Sequence, residues 1–293
     1  MSNPRVPYRL AFDQPKLPAP QDKPLIVHVV VNVEVWAFDQ PMPRAVMTPP
    51  QGQAQIPDVP NWSWAEYGNR VGMARLLKML EDRKLPVTCS INSAVIGTYP
   101  PMAERIRAAG WEFMGHGVVQ RSVKTVPDET AMVRQALKEC ADFTGTKVRG
   151  WLGPGLSETM DTPDVLKAEG IDYLCDWVLD DLPCWMRTKH GPLICMPYNL
   201  ELNDSVITAV EKHRSDAMYE RTRLTVECFE PELKERPRIL TLPLHPHLSG
   251  VPHRAGWLEK TLDMLLARKD TVFMNGSQIA DWYVSVDPAP ASL

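Results

Sequence analysis

Leu25-Ile26-Val27-His28-Val29-Val30-Val31 runs without a break into Asn32-Val33-Glu34-Val35-Trp36, and the reading of this stretch decides the fold. A near-continuous β-branched run is typical of a strand buried on both faces, which implies a parallel sheet. Its end carries a carboxylate, Glu34. Two further apolar runs stop in the same manner. Trp111-Glu112-Phe113-Met114 leads into Gly115-His116-Gly117, and Ile239-Leu240-Thr241-Leu242-Pro243-Leu244 leads into His245-Pro246-His247. A barrel of parallel strands gathers its strand ends on one face, where its active site lies. Glu34, His116, His245 and His247 are therefore expected to converge.

Outward from these runs, strands are predicted at Val87–Ile91, Glu112–Met114, Lys147–Trp151, Tyr173–Asp176, Leu193–Met196, Ile239–Leu244 and Thr271–Phe273. Helical signals lie between most of them, at Glu66–Glu81, Pro101–Ala109, Asp128–Phe143, Thr162–Glu169 and Trp257–Arg268. The first of these shows a stripe at Val71, Ala74, Leu77 and Leu80. Gly110, Gly145 and Gly170 each follow a helix where a left-handed cap is wanted. Strands alternating with helices give an α/β class, read as a distorted (β/α) barrel of about seven parallel strands. A proline-rich extension over 1–24 precedes a single barrel domain over 25–293. Trp36–Trp64 is too long for an ordinary connection and is expected to be a lid or a subunit contact. Cys184–Asp204, broken by Pro192, Pro197 and Asn199, is expected to form an irregular rim.

At 293 residues, with 44% hydrophobic and 23% charged, the chain can bury a sizeable core. A net charge of -4 provides no basic field for a phosphate backbone, so nucleic acid is excluded as a partner. No apolar stretch reaches membrane-spanning length and no export signal opens the chain, so no membrane contact and a cytoplasmic location are expected. Cys89, Cys140, Cys175, Cys184, Cys195 and Cys228 include no Cys-x-x-Cys pair and are read as buried free thiols.

Hydrolysis of an unreactive carbonyl needs an activated water, a group to hold the oxyanion and an acid for the leaving atom. Glu34, directly after a buried strand, is a candidate base whose pKa desolvation would raise. His116 sits between two glycines, which lets its imidazole face a pocket. His245 and His247, two apart on an extended segment, point to one side and can address one substrate or one metal. Arg149 at a strand end is a candidate oxyanion donor. Trp36, Trp151 and Trp185 are candidate ring walls, with Asp181 beside them. No Gly-x-Ser-x-Gly turn and no glycine-rich phosphate loop is present, which disfavours serine-hydrolase and nucleotide chemistry.

The order of these segments resembles the polysaccharide deacetylase superfamily from about Leu25 to Tyr283. The matching positions are Asn32-Val33-Glu34, His116 through Gln120, Arg149-Gly150-Trp151 and Leu244-His245. Asn32 stands where the family's catalytic aspartate is expected, and Gln120 where its second metal-binding histidine is expected. Glu66-Tyr67-Gly68-Asn69-Arg70-Val71-Gly72, Asp180 through Trp185, Pro197-Tyr198-Asn199 with Asn203-Asp204, and His245 through Arg254 are similar to the allantoinase-like and cyclic imide hydrolase branch. That resemblance implies a distorted barrel that opens a five- or six-membered imide or ureide ring, in a homo-oligomer, as a tetramer. Asn32 would then donate to substrate or oxyanion, and Gln120 would contact substrate. No obligatory cofactor is expected; if zinc is bound, its candidate ligands are Glu34, His116 and His245. Allantoinase or deacetylase activity, and non-catalytic binding of a small ring, stand as alternatives.

Overall fold

The computed structural model describes residues 2–47 and 54–291. Nine strands form one curled sheet among these residues: β1 (Leu25–Val33), β2 (Val87–Ile91), β3 (Glu112–Gly115), β4 (Gly150–Trp151), β5 (Tyr173–Leu174), β6 (Cys184–Met186), β7 (Leu193–Cys195), β8 (Arg238–Leu244) and β9 (Thr271–Phe273). All pairings are parallel except β6 with β7. The order is β6-β7-β5-β4-β3-β2-β1-β8, with β9 on β1. β8 pairs with Leu25–Val31 of β1, so β9 at Leu25–Val27 and β2 at Val29–Val33 share the opposite edge in succession. The expected count of about seven parallel strands becomes eight, joined by one antiparallel strand.

Among the described residues no strand closes the barrel. The free edge of β8 is met by irregular chain instead: Ile239 N–H donates to Asp181 O at 2.9 Å, and Thr241 N–H to Asn199 Oδ1 at 2.7 Å. The Thr241 hydroxyl adds a bond to Pro197 O at 2.9 Å.

Period-two alternation along the strands sorts the interior from the helical shell. Leu25, Val27, Val29, Val31 and Val33 join one hydrophobic cluster, with Leu240, Leu242 and Leu244 of β8. Ile26, Val30, Met114 and Ile239 join the other, which fills the barrel. Continuing each inward series by steps of two reaches Asn32 and Glu34, then His116, then His245. The convergence read from the strand ends thus follows from the pleat.

The helices are α1 (Val59–Tyr67), α2 (Met73–Asp82), α3 (Val95–Thr98), α4 (Pro100–Ala108), α5 (Glu129–Thr144), α6 (Thr162–Ala168), α7 (Ala217–Glu232), α8 (Pro252–Leu266) and α9 (Gly276–Val286). Gly110, Gly145 and Gly170 have φ of 71°, 72° and 86°, as their cap positions require. No helix among the described residues is long and apolar enough to cross a membrane.

Several expectations are corrected. Lys147–Trp151 contributes only Gly150–Trp151 to the sheet, and Cys184–Asp204 is no mere rim, since it supplies the β6–β7 hairpin. The long connection after Trp36 already becomes helical at Val59, and its residues 48–53 lie outside the described ones. The expected stripe holds at Leu77 and Leu80 and fails at Val71 and Ala74. A π turn at Gly68–Gly72 inserts one residue, which leaves Val71 and Ala74 exposed and buries Met73, Leu76, Leu77, Met79 and Leu80. Cys184 is half-buried and Cys228 exposed, rather than buried like the other four cysteines. Arg5 of the N-terminal extension reaches the barrel through an ion pair with Asp164 at 2.9 Å, and Trp282 Nε1 donates to Pro18 O at 3.1 Å.

Candidate functional site

Glu34 Oε1 lies 3.6 Å from His116 Nε2 and 3.6 Å from His245 Nε2; Glu34 and His116 are buried and His245 is partly so. Each partner is held from behind. His116 Nδ1 is 2.6 Å from Leu152 O, an atom that only accepts, so Nδ1 carries the proton and the Nε2 lone pair faces the cavity when the ring is neutral. Among the described residues that Nε2 has no hydrogen-bond partner. His245 Nδ1 is 2.6 Å from Asp204 Oδ1, while its backbone N–H donates to Asp204 Oδ2 at 2.6 Å. The second Glu34 oxygen accepts from Trp36 Nε1 at 2.6 Å.

The charges follow from these contacts. Burial alone would push Glu34 up, but the His116 and His245 imidazoles facing its carboxylate outweigh it and hold the carboxyl well below 4.5. The expectation of a raised Glu34 pKa is corrected on that ground. Burial likewise disfavours a charged His245, yet Asp204 and then Glu34 raise its pKa from 6.5 to about 10. An imidazolium between two carboxylates results at neutral pH. His247, buried beside that cation, falls to about 4 and is neutral. Its ring is packed edge-on by Trp36 at 5.5 Å and Trp64 at 4.7 Å.

A cavity of about 960 Å³ opens over this cluster, lined by Asn32, Trp36, Gln120, Tyr198 and His247 as well as the central three. Asn32 Nδ2 donates to Tyr198 Oη at 3.1 Å and to Leu244 O at 3.3 Å. A backbone carbonyl cannot donate, so the amide orientation is settled. Among the described residues Asn32 Oδ1 is then a buried acceptor without a partner, which corrects the expectation that Asn32 donates to substrate or oxyanion, since its Nδ2 is already taken. Gln120 is fixed by its backbone N–H to Val35 O at 3.0 Å, and its Oε1 accepts from Asn92 Nδ2 at 3.4 Å.

The α1–α2 segment clamps both site loops. Asn69 Nδ2 donates to Glu34 O at 3.0 Å, and Arg75 Nη1 to Gly250 O at 2.7 Å. A Cβ on Gly68 would lie 2.4 Å from His247 N, and one on Gly72 would lie 2.0 Å from Pro246 O. These glycines let the helix backbone touch the His245-Pro246-His247 turn.

Four residues expected at the site lie elsewhere. Arg149 precedes β4, at the other end of the strand from His116's neighbours, and its guanidinium pairs with Asp172 at 2.7 Å and Asp281 at 2.7 Å. Trp151 is wholly buried core, with its ring packed against Gly115. Asp181 lies at the entry of β8, its carboxylate 3.8 Å from Arg238. Trp185 stacks near Tyr283 at 5.4 Å and donates to Asp287 O at 2.9 Å. The order of strand ends signalled polarity without saying which end a side chain serves. Asp204 and Tyr198, which the sequence marks only within a segment of resemblance and gives no role, reach the site from the irregular chain after β7; Asp204 is 41 positions from His245.

Glu34, His116 and His245 are the candidate zinc ligands. Gln120, at the position of a further imidazole, is a neutral amide facing Asn92, and among the described residues no group of three or more His, Cys, Asp or Glu takes the arrangement of a metal centre. No step is derived through a metal.

A family model described as polysaccharide deacetylase matches residues 65–174. A putative polysaccharide deacetylase of Schizosaccharomyces pombe is 26% identical over 246 residues, covering 77% of this chain and 77% of that protein. Among solved structures, Puue allantoinase superposes with a TM-score of 0.83 at 24% identity, covering 94% of this chain and 96% of the other. A probable polysaccharide deacetylase from Pseudomonas aeruginosa PAO1 superposes with a TM-score of 0.83 at 24% identity, covering 95% and 97%. The curled barrel is thus of the deacetylase type in its fold, and residues 65–174 are similar to the polysaccharide deacetylase family model.

Proposed function

We propose that this chain is a hydrolase of C–N bonds in cyclic amides, opening imide rings of the succinimide, phthalimide, dihydropyrimidine or hydantoin type to half-amides. The observation that carries the reading is the unpartnered Asn32 Oδ1 beside Glu34, His116 and His245. A neutral acceptor suits the N–H of an imide or ureide ring, and it stands where the resemblance expects a catalytic acid.

The chemistry runs through this chain's own groups. Water between Glu34 and the His116 Nε2 lone pair gives its proton to that nitrogen, which the Glu34 carboxylate faces, and attacks one ring carbonyl; the proton then passes to His245 to restore the acid. The developing oxyanion faces the His245 imidazolium, whose charge is set against it without rearrangement. The ring C–N bond then breaks, and His245 protonates the departing nitrogen. An imide anion spreads its charge over the second carbonyl, so this departure is easier than that of a simple amide. Trp36 and His247 supply apolar and neutral walls. No obligatory metal, a homotetramer and a cytoplasmic location belong to the same proposal.

The test is a substrate panel of succinimide, phthalimide, dihydrouracil, hydantoin and allantoin beside an acetylated sugar oligomer. Turnover of imides with a half-amide product is expected. Turnover of the sugar alone overturns the proposal, and turnover of allantoin alone moves it to the allantoinase alternative.

A further inference from the structure

The β6–β7 hairpin ends the sheet, and its antiparallel ladder sets Cys184 directly opposite Cys195, with Trp185 opposite Ile194 and Met186 opposite Leu193. Directly opposed residues project from the same face, with Cα atoms about 4.5 or 5.5 Å apart. Disulfides take Cα separations of about 4.4–6.8 Å. The backbone already stands where a bond between the two sulfurs needs it.

Access is asymmetric. Cys184 is half-buried and lines a cavity of about 260 Å³, together with Arg9, Trp185 and Tyr283, between the N-terminal extension and the end of α9. Cys195 lies buried behind it, its thiol donating to Trp177 O at 3.1 Å. The Cys184 thiol and burial together push Cys195 well above the ordinary cysteine range. One sulfur can thus meet a small oxidant while the other waits beside it.

We propose that Cys184 and Cys195 form a reversible disulfide when the protein meets a peroxide. The Cys184 sulfur attacks one peroxide oxygen, the O–O bond breaks, and one water leaves, giving a sulfenic acid on Cys184. The Cys195 sulfur then attacks that sulfur, the S–O bond breaks, and a second water leaves. Two thiols are oxidised by two electrons and one hydrogen peroxide is reduced to two waters. A dithiol reverses the step by exchange. The bond ties the edge strand β6 to β7, its neighbour in the sheet.

The experiment is hydrogen peroxide treatment of the full chain, thiol blocking and tryptic mapping without reduction. A linked pair of the peptides spanning 168–187 and 190–212 is expected, with Cys184 rather than Cys175 as the bonded residue, and dithiothreitol should release it. The wild-type melting midpoint should rise by about 5 °C on oxidation, and that of Cys184→Ser should not. In Cys195→Ser, Cys184 should instead proceed to sulfinic acid, because its resolving partner is gone. Sulfinic acid on Cys184 of the wild type with Cys195 still alkylatable overturns the proposal, as does a link that survives in Cys184→Ser. No turnover enters the readout, so this outcome is independent of the function proposed above.

Discussion

Asp204 grips His245 twice, with Oδ1 2.6 Å from the ring Nδ1 and Oδ2 2.6 Å from the backbone N–H. Ser249 Oγ adds a third bond to Oδ2 at 2.6 Å. One carboxylate therefore fixes the ring's rotamer, its protonated nitrogen and the entry of the loop. Asp204→Asn places an N–H donor where at least one of these donors must be received, and it removes the charge that keeps His245 protonated. We expect kcat to fall by about 10²-fold or more, the scale seen when a histidine loses its orienting carboxylate. The alkaline limb of the pH profile, near 10 in the wild type, should move down toward 6.5. Stability follows the same shift. A folded pKa raised above the unfolded one stabilises fully below about pH 6.5, and this contribution is lost as pH rises through about 10. Melting midpoints between pH 6 and 10 should therefore fall in the wild type and flatten in the variant.

Glu34→Gln keeps the shape and an oxygen for Trp36 Nε1 while removing the negative charge that His116 and His245 share. Turnover should drop by about 10³-fold, with ring binding measured by calorimetry retained within about threefold. Undiminished turnover would dismiss Glu34 from the chemistry. The sign of its pH effect is opposite to that of His245. A depressed carboxyl pKa stabilises the fold above about pH 4.5, and that contribution disappears as pH falls through the lower folded value.

Much of this site was legible in the chain because side-chain direction along a strand has a period of two. Asn32 and Glu34 continue the inward series of Ile26 and Val30, and His245 continues that of Ile239. Arg149 was misplaced because an ionic residue near a short strand gives no sign of which end it serves; β4 is only Gly150–Trp151. Asp204 was invisible for another reason. Its role depends on where the chain after β7 crosses the free edge of β8, and no local pattern encodes that crossing. The helices α7 and α9 also escaped, α7 because its buried face includes Thr222 and it holds Pro231 near its end. The Asn275 and Gln278 capping box of α9 was a readable signal that periodicity alone did not use.

Gly72 sits where α2 crosses the late loop, and an added Cβ would lie 2.0 Å from Pro246 O and 3.5 Å from Gly250 Cα. The three nearest atoms are all backbone, so the loop bearing His245 and His247 has to move. Gly72→Ala is expected to cost about 3 kcal/mol or more, lowering the melting midpoint by at least about 6 °C, and to impair turnover with it. Gly256 in α8 is the control. A Cβ there meets nothing within 4 Å, so Gly256→Ala should leave the midpoint unchanged or raise it slightly.

Exhaustive dialysis against a chelator, followed by elemental analysis, examines the donor set. Gln120 offers a neutral amide oxygen to Asn92 and no imidazole to the cavity. Imide turnover is expected to stay within about twofold of the untreated protein, with metal content far below one equivalent, because His245 already supplies positive charge at the carbonyl. Lost turnover restored by zinc would assign Glu34, His116 and His245 as ligands and replace general acid-base catalysis.

Arg149→Gln separates two readings of one residue. A guanidinium that held the oxyanion would be worth about 10²- to 10³-fold in kcat. Here its Nε donates to Asp172 at 2.7 Å and its Nη2 to Asp281 at 2.7 Å, bridging the entry of β5 to α9 at the opposite end of the barrel from Glu34. These carboxylates are a third and two-thirds exposed, so solvent screens the pair and its loss should cost only about 0–1 kcal/mol. Turnover within about threefold of wild type, with a slightly lower melting midpoint, is the expected result. A fall in kcat of two orders of magnitude without a loss of stability would return Arg149 to the reacting groups and require a different path from β4 to the cavity.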